Sequence, residues 1–180
     1  YRLLRVYQRS GLAWLLRTSG LLQRLGLAYA DSLLPPLQAV TPHRPAAAPA
    51  NTRGHVALFT GCLGSTLEQA TTVASLQLLQ RLGYAVELVP AQTCCGALHQ
   101  HGGAGAIAER LARRNRRAFA GSTRPILVTA SGCAAQLCEY ERLYGEAGLA
   151  RRFVEITQFV HEHGPDGLEF EPLPQRVAVH

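Results

Sequence analysis

Five cysteines in 180 residues fall into one pattern: Cys62, then Cys94-Cys95-Gly96, then Cys133, with Cys138 five positions later. Thirty-one residues lie between Cys62 and Cys94, and 37 between Cys95 and Cys133. Adjacent cysteines rarely bond to each other, because a disulfide between them strains the intervening peptide. Two neighbouring thiolates on one loop can instead reach the same metal centre, and Gly96 lets the backbone fold closely around it. Thiolates are soft donors that select zinc, copper(I) or iron-sulfur clusters. Four of them can hold tetrahedral zinc or a [4Fe-4S] or [2Fe-2S] cluster. The paired C-x2-C knuckles usual in zinc fingers are absent from the sequence. The bland alternative, five small buried hydrophobes, suits one or two cysteines better than an adjacent pair flanked by two more.

A fold must gather these distant cysteines. Apolar runs at 56–59, 85–89 and 126–128 read as short buried strands. Helical periodicity covers 67–82, 104–120, 134–144 and 151–162. Strands separated by helices predict an α/β fold with a parallel sheet flanked by helices. Ligand sites in such sheets gather outside the carboxyl ends of the strands. Cys62, Cys94, Cys95 and Cys133 each fall just past a predicted strand, so they are the expected ligands. Cys138 is set apart. Five helical residues advance about 500°, which leaves it about 140° round from Cys133 and facing the core if Cys133 is helical, with position 136 only about 60° away; if Cys133 precedes the first turn, Cys138 can still swing in as a ligand. His99 is the expected tuning partner of the centre, through a hydrogen bond; a cysteine-histidine nucleophile pair with His99 or His101 is the lesser reading.

Residues 1–40 read as a helical connector, one or two amphipathic helices with Gly11 and Ser19-Gly20 as interruptions. Residues 41–53 are a Pro/Ala-rich linker, 54–175 the cysteine-rich module, and 176–180 the start of a second, truncated one. The chain has no methionine and begins at Tyr1, which leads us to expect a fragment or a processed chain. Net charge is +6 and every basic residue is arginine. Residues 1–50 carry six Arg against one Asp, whereas 122–180 carry five Arg against eight acids. The basic, Leu-rich connector is expected to pack on a neighbouring domain, with a peripheral membrane surface as the sharper alternative. An odd, clustered set of cysteines argues for reduced thiols in the cytoplasm and against a secreted disulfide scaffold.

Gly61-Cys62, Gln92-Thr93-Cys94-Cys95-Gly96 and Thr129-Ala130-Ser131-Gly132-Cys133 resemble the cysteine-rich CCG module of heterodisulfide reductase and its relatives, above all the iron-sulfur subunit of glycolate oxidase. The resemblance covers about 56–180. It implies an iron-sulfur centre, [4Fe-4S] in type, on Cys62, Cys94, Cys95 and Cys133, with zinc as the alternative. It implies an oxidoreductase subunit that takes electrons from a partner flavoprotein, which oxidises glycolate or a related 2-hydroxyacid, and passes them to an acceptor. A site in the cytoplasm or at the inner membrane face goes with it. Family members often carry a second module opening with His-x-Pro-Cys, whose first residue His180 matches. In the heterodisulfide reductase branch the motif ends C-x-x-C; here Gln136 holds that position. The rival readings are disulfide reduction of the heterodisulfide reductase kind and a zinc-stabilised interaction module. No residue reads as an acid/base catalyst for a hydroxyacid.

Two further motifs carry less. Residues 103–108 match G-x-G-x-x-A, but no strand immediately precedes them and no acid follows at the needed distance. Arg110, Arg113, Arg114, Arg116 and Arg117 make a basic helix without interleaved aromatics. It reads as a solvated face, and no nucleic-acid partner is expected.

Overall fold

The computed structural model describes residues 2–34, 52–164, 171, 172 and 174–176. Most of the predicted linker, and residues 177–180 of the predicted second module, lie outside them.

The first described stretch forms four short helices where one or two were expected: α1 (Arg2–Arg9), α2 (Leu12–Thr18), α3 (Leu21–Arg24) and α4 (Ala28–Ser32). The breaks include the anticipated Gly11 and Ser19-Gly20. Asp31 ties the stretch together, accepting a hydrogen bond from the Tyr7 hydroxyl and a 2.6 Å ion pair from Arg17. Those donors hold the Asp31 carboxyl below the ordinary carboxylate range. Only Ala13 and Leu22 of these described side chains are fully buried, while Leu3, Trp14, Leu25, Tyr29 and Leu33 are among those exposed.

The module that follows is a parallel α/β sheet. Its elements are β1 (Gly54–Phe59), α5 (Gly61–Gly64), α6 (Gln69–Arg81), β2 (Tyr84–Leu88), α7 (Ala97–His101), α8 (Gly105–Ala118), β3 (Ile126–Val128), α9 (Ser131–Cys138), α10 (Tyr140–Tyr144), α11 (Ala147–Ala150), β4 (Phe153–Glu155) and α12 (Ile156–His163). The four strands run parallel in the order β2-β1-β3-β4. Val56 pairs with Val86, Leu58 with Leu127, and Val128 with Glu155.

Two expectations are corrected. Residues 153–155 form the fourth strand inside a stretch read as helix, and the helix starts only at Ile156. Glu155 explains the switch: its backbone is extended and its carboxylate accepts the Thr157 and Gln158 N–H groups, the geometry of a helix N-cap. The single helix expected over 134–144 breaks at Glu139 into α9 and α10.

Strand alternation divides the core in two. Val56, Leu58 and Leu127 face Leu76, Leu79 and Leu82 of the α6 end and Ile156 and Phe159 of α12. Ala57, Phe59, Ile126 and Val128 face Ala112, Phe119, Leu137, Tyr140 and Phe153, and this side also contains Cys95. Phe59 stacks edge-on against Phe153, with ring centroids 5.9 Å apart. No helix among the described residues is long and apolar enough to cross a membrane.

Candidate metal centre

The strand order puts a topological switch point between β1 and β3: the chain runs outward from β1 to β2, then returns to the other side at β3. The crevice outside the carboxyl ends at such a point is where open α/β sheets bind ligands. Cys62 follows β1 in α5, Cys94 and Cys95 follow β2, and Cys133 sits in the first turn of α9 after β3.

The four thiols meet as two pairs. Cys62 Sγ lies 3.7 Å from Cys94 Sγ, and Cys95 Sγ lies 3.2 Å from Cys133 Sγ. All five cysteines are free thiols. The Cys95 thiol donates to the Cys133 sulfur; this bond, and then burial, push Cys95 above the ordinary thiol range, while the same bond draws Cys133 below it against the opposing effect of burial. Burial, and then the bond to Cys94, push Cys62 upward. A soft metal replaces such shared protons, which is why thiolate sites load with proton release.

Backbone around the pairs is tightly held. Gln92 clips two loops together: its Oε1 accepts the N–H groups of Thr60 (2.7 Å) and Gly61 (3.3 Å), and its Nε2 donates to Leu58 O (3.2 Å). The carboxamide just ahead of Cys94 thereby fixes the turn that carries Cys62. The Gly96 N–H points at Cys94 Sγ, 3.4 Å away. Gly96 is left-handed, φ 88°, and a Cβ there would stand 3.3 Å from Ala108 Cα of α8. The glycine is thus required by its own backbone and by a neighbouring helix.

Asn115 and Tyr140 also serve this loop, and neither stood out as a candidate in the sequence. Asn115 accepts from Thr93 N–H (2.8 Å) and donates to Cys94 O (3.1 Å); Tyr140 donates to Cys95 O (2.8 Å). A signal was present: Ala108, Ala112, Asn115 and Phe119 recur at 4-3-4 spacing and are all buried. The arginines around Asn115 point outward, Arg113 to Glu109 at 2.7 Å and Arg116 to Glu146 at 3.0 Å.

Cys138 ends α9 apart from the pairs, its sulfur 3.9 Å from Phe153 O. The expectation that it faces the core is corrected, because it is exposed. Position 136 takes the inward place instead: Gln136 is buried and donates to Tyr144 OH, which donates to Gln100 of α7. His99 is half-buried on α7, and among the described residues its imidazole forms no hydrogen bond to a thiol.

The donor set suits a soft metal. A tetrahedral ion at about 2.3 Å from each sulfur sets sulfurs about 3.8 Å apart, close to the Cys62–Cys94 separation of 3.7 Å. Among the described residues, however, no three or more donors crowd around one point; they gather two by two.

Comparison with known proteins fits this geometry. The model of the CCG cysteine-rich domain matches residues 56–138, a span that contains all five cysteines. A probable glycolate oxidase iron-sulfur subunit of Bacillus subtilis is 39% identical over 148 residues, covering 78% of this chain and 33% of the relative. A CoM/CoB fumarate reductase subunit of Methanothermobacter marburgensis is 32% identical over 130 residues, covering 72% of this chain and 26% of the relative. Lactate utilization protein A of Geobacillus kaustophilus is 37% identical over 114 residues, 58% of this chain and 47% of the relative. The chain spans between a quarter and a half of the length of these relatives. No solved structure matches it significantly. With its cysteine pattern matched by the family model and by relatives of these kinds, the stretch 56–138 of this chain is a CCG cysteine-rich domain.

Proposed function

We propose that this chain is the cysteine-rich module of an iron-sulfur electron-transfer subunit, with Cys62, Cys94, Cys95 and Cys133 as the ligands. The observation that carries the reading is the meeting of four thiols from three strand ends at the switch point of the sheet. The 3.7 Å between Cys62 and Cys94 suits a tetrahedral ion as well as a cluster iron; the likeness to an iron-sulfur subunit and the CCG domain match support the cluster over single-ion zinc. An iron-sulfur cluster of the [4Fe-4S] type would supply one-electron transfer at a potential set by its surroundings.

The chain's own residues have definable tasks. Gln92 holds the Cys62 turn against the Cys94 loop, Gly96 donates an N–H toward the Cys94 sulfur, and the aromatic layer of Phe59, Phe119 and Phe153 shuts water out from beneath the loops. The likeness to a glycolate oxidase iron-sulfur subunit and to lactate utilization protein A supports a 2-hydroxyacid as the ultimate electron source. A flavoprotein partner would oxidise it, since among the described residues no acid/base group for that chemistry stands beside the thiols. Helices α1–α4, with Leu3, Leu15 and Leu25 and Arg9, Arg17 and Arg24 exposed, suit a connector packed on a neighbouring domain, with an anionic membrane surface as the other candidate. Free thiols suit the reducing cytoplasm.

The test is anaerobic purification of the longest natural chain, with iron, acid-labile sulfide and zinc analysis and EPR. Iron and sulfide in equal amounts, with an EPR signal in one redox state, are expected. Stoichiometric zinc without sulfide would overturn the reading.

A further inference from the structure

Asn115 is the one fully buried polar side chain among the described residues with an amide to satisfy and no exposure at all, and every hydrogen bond it makes serves one stretch of backbone or the group beside it. Its Oδ1 accepts Thr93 N–H at 2.8 Å, and its Nδ2 donates to Cys94 O at 3.1 Å and to Tyr140 Oη at 3.2 Å. The Tyr140 hydroxyl, also fully buried, donates to Cys95 O at 2.8 Å. The two consecutive carbonyls of the adjacent cysteines are therefore each taken by a side chain, from α8 and from α10. Burying an amide and a phenol is costly unless they are bonded, and here the bonds are spent on the Cys94-Cys95 peptides.

We propose that Asn115 and Tyr140 are positioning residues for the metal centre, an inference that rests on the iron-sulfur reading above. They turn the Cys94 and Cys95 carbonyls into the protein interior and leave the Gly96 N–H as the dipole that faces the Cys94 sulfur. A carbonyl released from this hold is free to rotate toward the thiolates. Its negative end then opposes an added electron, so loss of the hold makes the centre harder to reduce and easier to strip.

The test uses the longest natural chain purified without oxygen, as Tyr140→Phe, Asn115→Leu and the control Tyr84→Phe. Tyr84 is a buried tyrosine of the other sheet face whose hydroxyl donates to His163 O at 3.2 Å. Tyr140→Phe keeps the ring that packs edge-on against Phe153 at 6.1 Å, so it preserves the core. The readouts are iron per folded chain, the rate of iron transfer to a chelator, the EPR spectrum and the midpoint potential. Tyr140→Phe is expected to lose iron about tenfold faster, with an altered EPR spectrum and a more negative potential, while Tyr84→Phe matches wild type. If Asn115→Leu fails to fold, Tyr140→Phe alone decides. Release rate and potential unchanged in Tyr140→Phe, or changed equally in Tyr84→Phe, overturn the inference and leave the iron-sulfur reading standing. A wild-type chain without iron overturns that reading and the inference with it.

Discussion

The same strands feed both faces of the sheet, yet the two faces are covered by different chemistry. On the face of α6 and α12, Val56, Leu58 and Leu127 meet Leu76, Leu79, Ile156 and Phe159 in an apolar layer, and the buried Ser75 of α6 bonds within its own helix, to Thr71 O at 2.8 Å. On the face of α8 to α10, Phe59, Ile126 and Val128 share their layer with Cys95, Tyr140 and the buried Asn115. An apolar layer contributes stability without regard to direction. A layer with polar members contributes only where each finds its partner, and those partners are the carbonyls of the cysteine loop. Stability and site are thus separable by face.

The largest expected effect breaks the site and spares the far face. Cys95→Ser replaces a soft donor with a hard one, and most bound metal should be lost. The apo fold should lose only about 1 kcal/mol, because the far face is untouched. Metal analysis and urea unfolding of the same preparations decide this. Full metal retention by Cys95→Ser would remove Cys95 from the ligand set.

The converse substitution is Leu79→Ala. Leu79 has no exposed surface and lies wholly in the apolar layer. A cavity there should cost about 2–5 kcal/mol, read from the urea midpoint. Metal per folded chain should stay at the wild-type value. Metal loss out of proportion to unfolding would break the separation of the faces.

Much of this was legible in the sequence because its signals were local. Short apolar runs marked β1, β2 and β3, and the residues just past them carried the cysteines. β4 was missed because Phe153–Glu155 is three residues long and runs directly into α12, so one apolar stretch served two elements. Asn115 was hidden by its neighbours: four arginines within two positions read as a solvated surface, although a helix face excludes residues only one position away. Tyr140 and Gln92 act through backbone atoms of distant loops, and no spacing rule encodes such a contact. Helix geometry gave the angular order of α9 but the wrong inward member: Cys138, expected to face the core, is exposed, and Gln136, about 60° from Cys133, is buried.

A smaller effect sharpens the site face itself. Gln92→Ala leaves the Thr60 and Gly61 N–H groups and the Leu58 carbonyl without their shared partner. Gln92 is only half-buried, so water replaces part of what is lost and the cost should be about 1–2 kcal/mol. The readout specific to the site is the Cys62–Cys94 pair, 3.7 Å apart when the clip is in place. In the oxidised apo chain, disulfide mapping should recover less Cys62–Cys94 bond in Gln92→Ala than in wild type, while Cys95–Cys133 is unchanged. Equal loss of both bonds would mean that Gln92 holds the whole face and not one loop.

The smallest effect belongs to Cys138. It shares helix α9 with Cys133, but five residues of helix carry its sulfur to the exterior, where it lies 3.9 Å from Phe153 O. An S–H donor over that distance is weak, and an exposed cysteine buries little apolar surface to lose. Cys138→Ser should therefore change stability by no more than about 0.5 kcal/mol and leave the metal content at wild type. Alkylation gives an independent check on the same geometry: in the metal-loaded chain an iodoacetamide probe should label Cys138 quickly and the four paired cysteines slowly. If Cys138 is instead protected by metal, and Cys138→Ser loses as much metal as Cys95→Ser, then α9 must unwind at its end to bring a fifth thiolate to the centre. The boundary between site face and solvent would then run through Cys138.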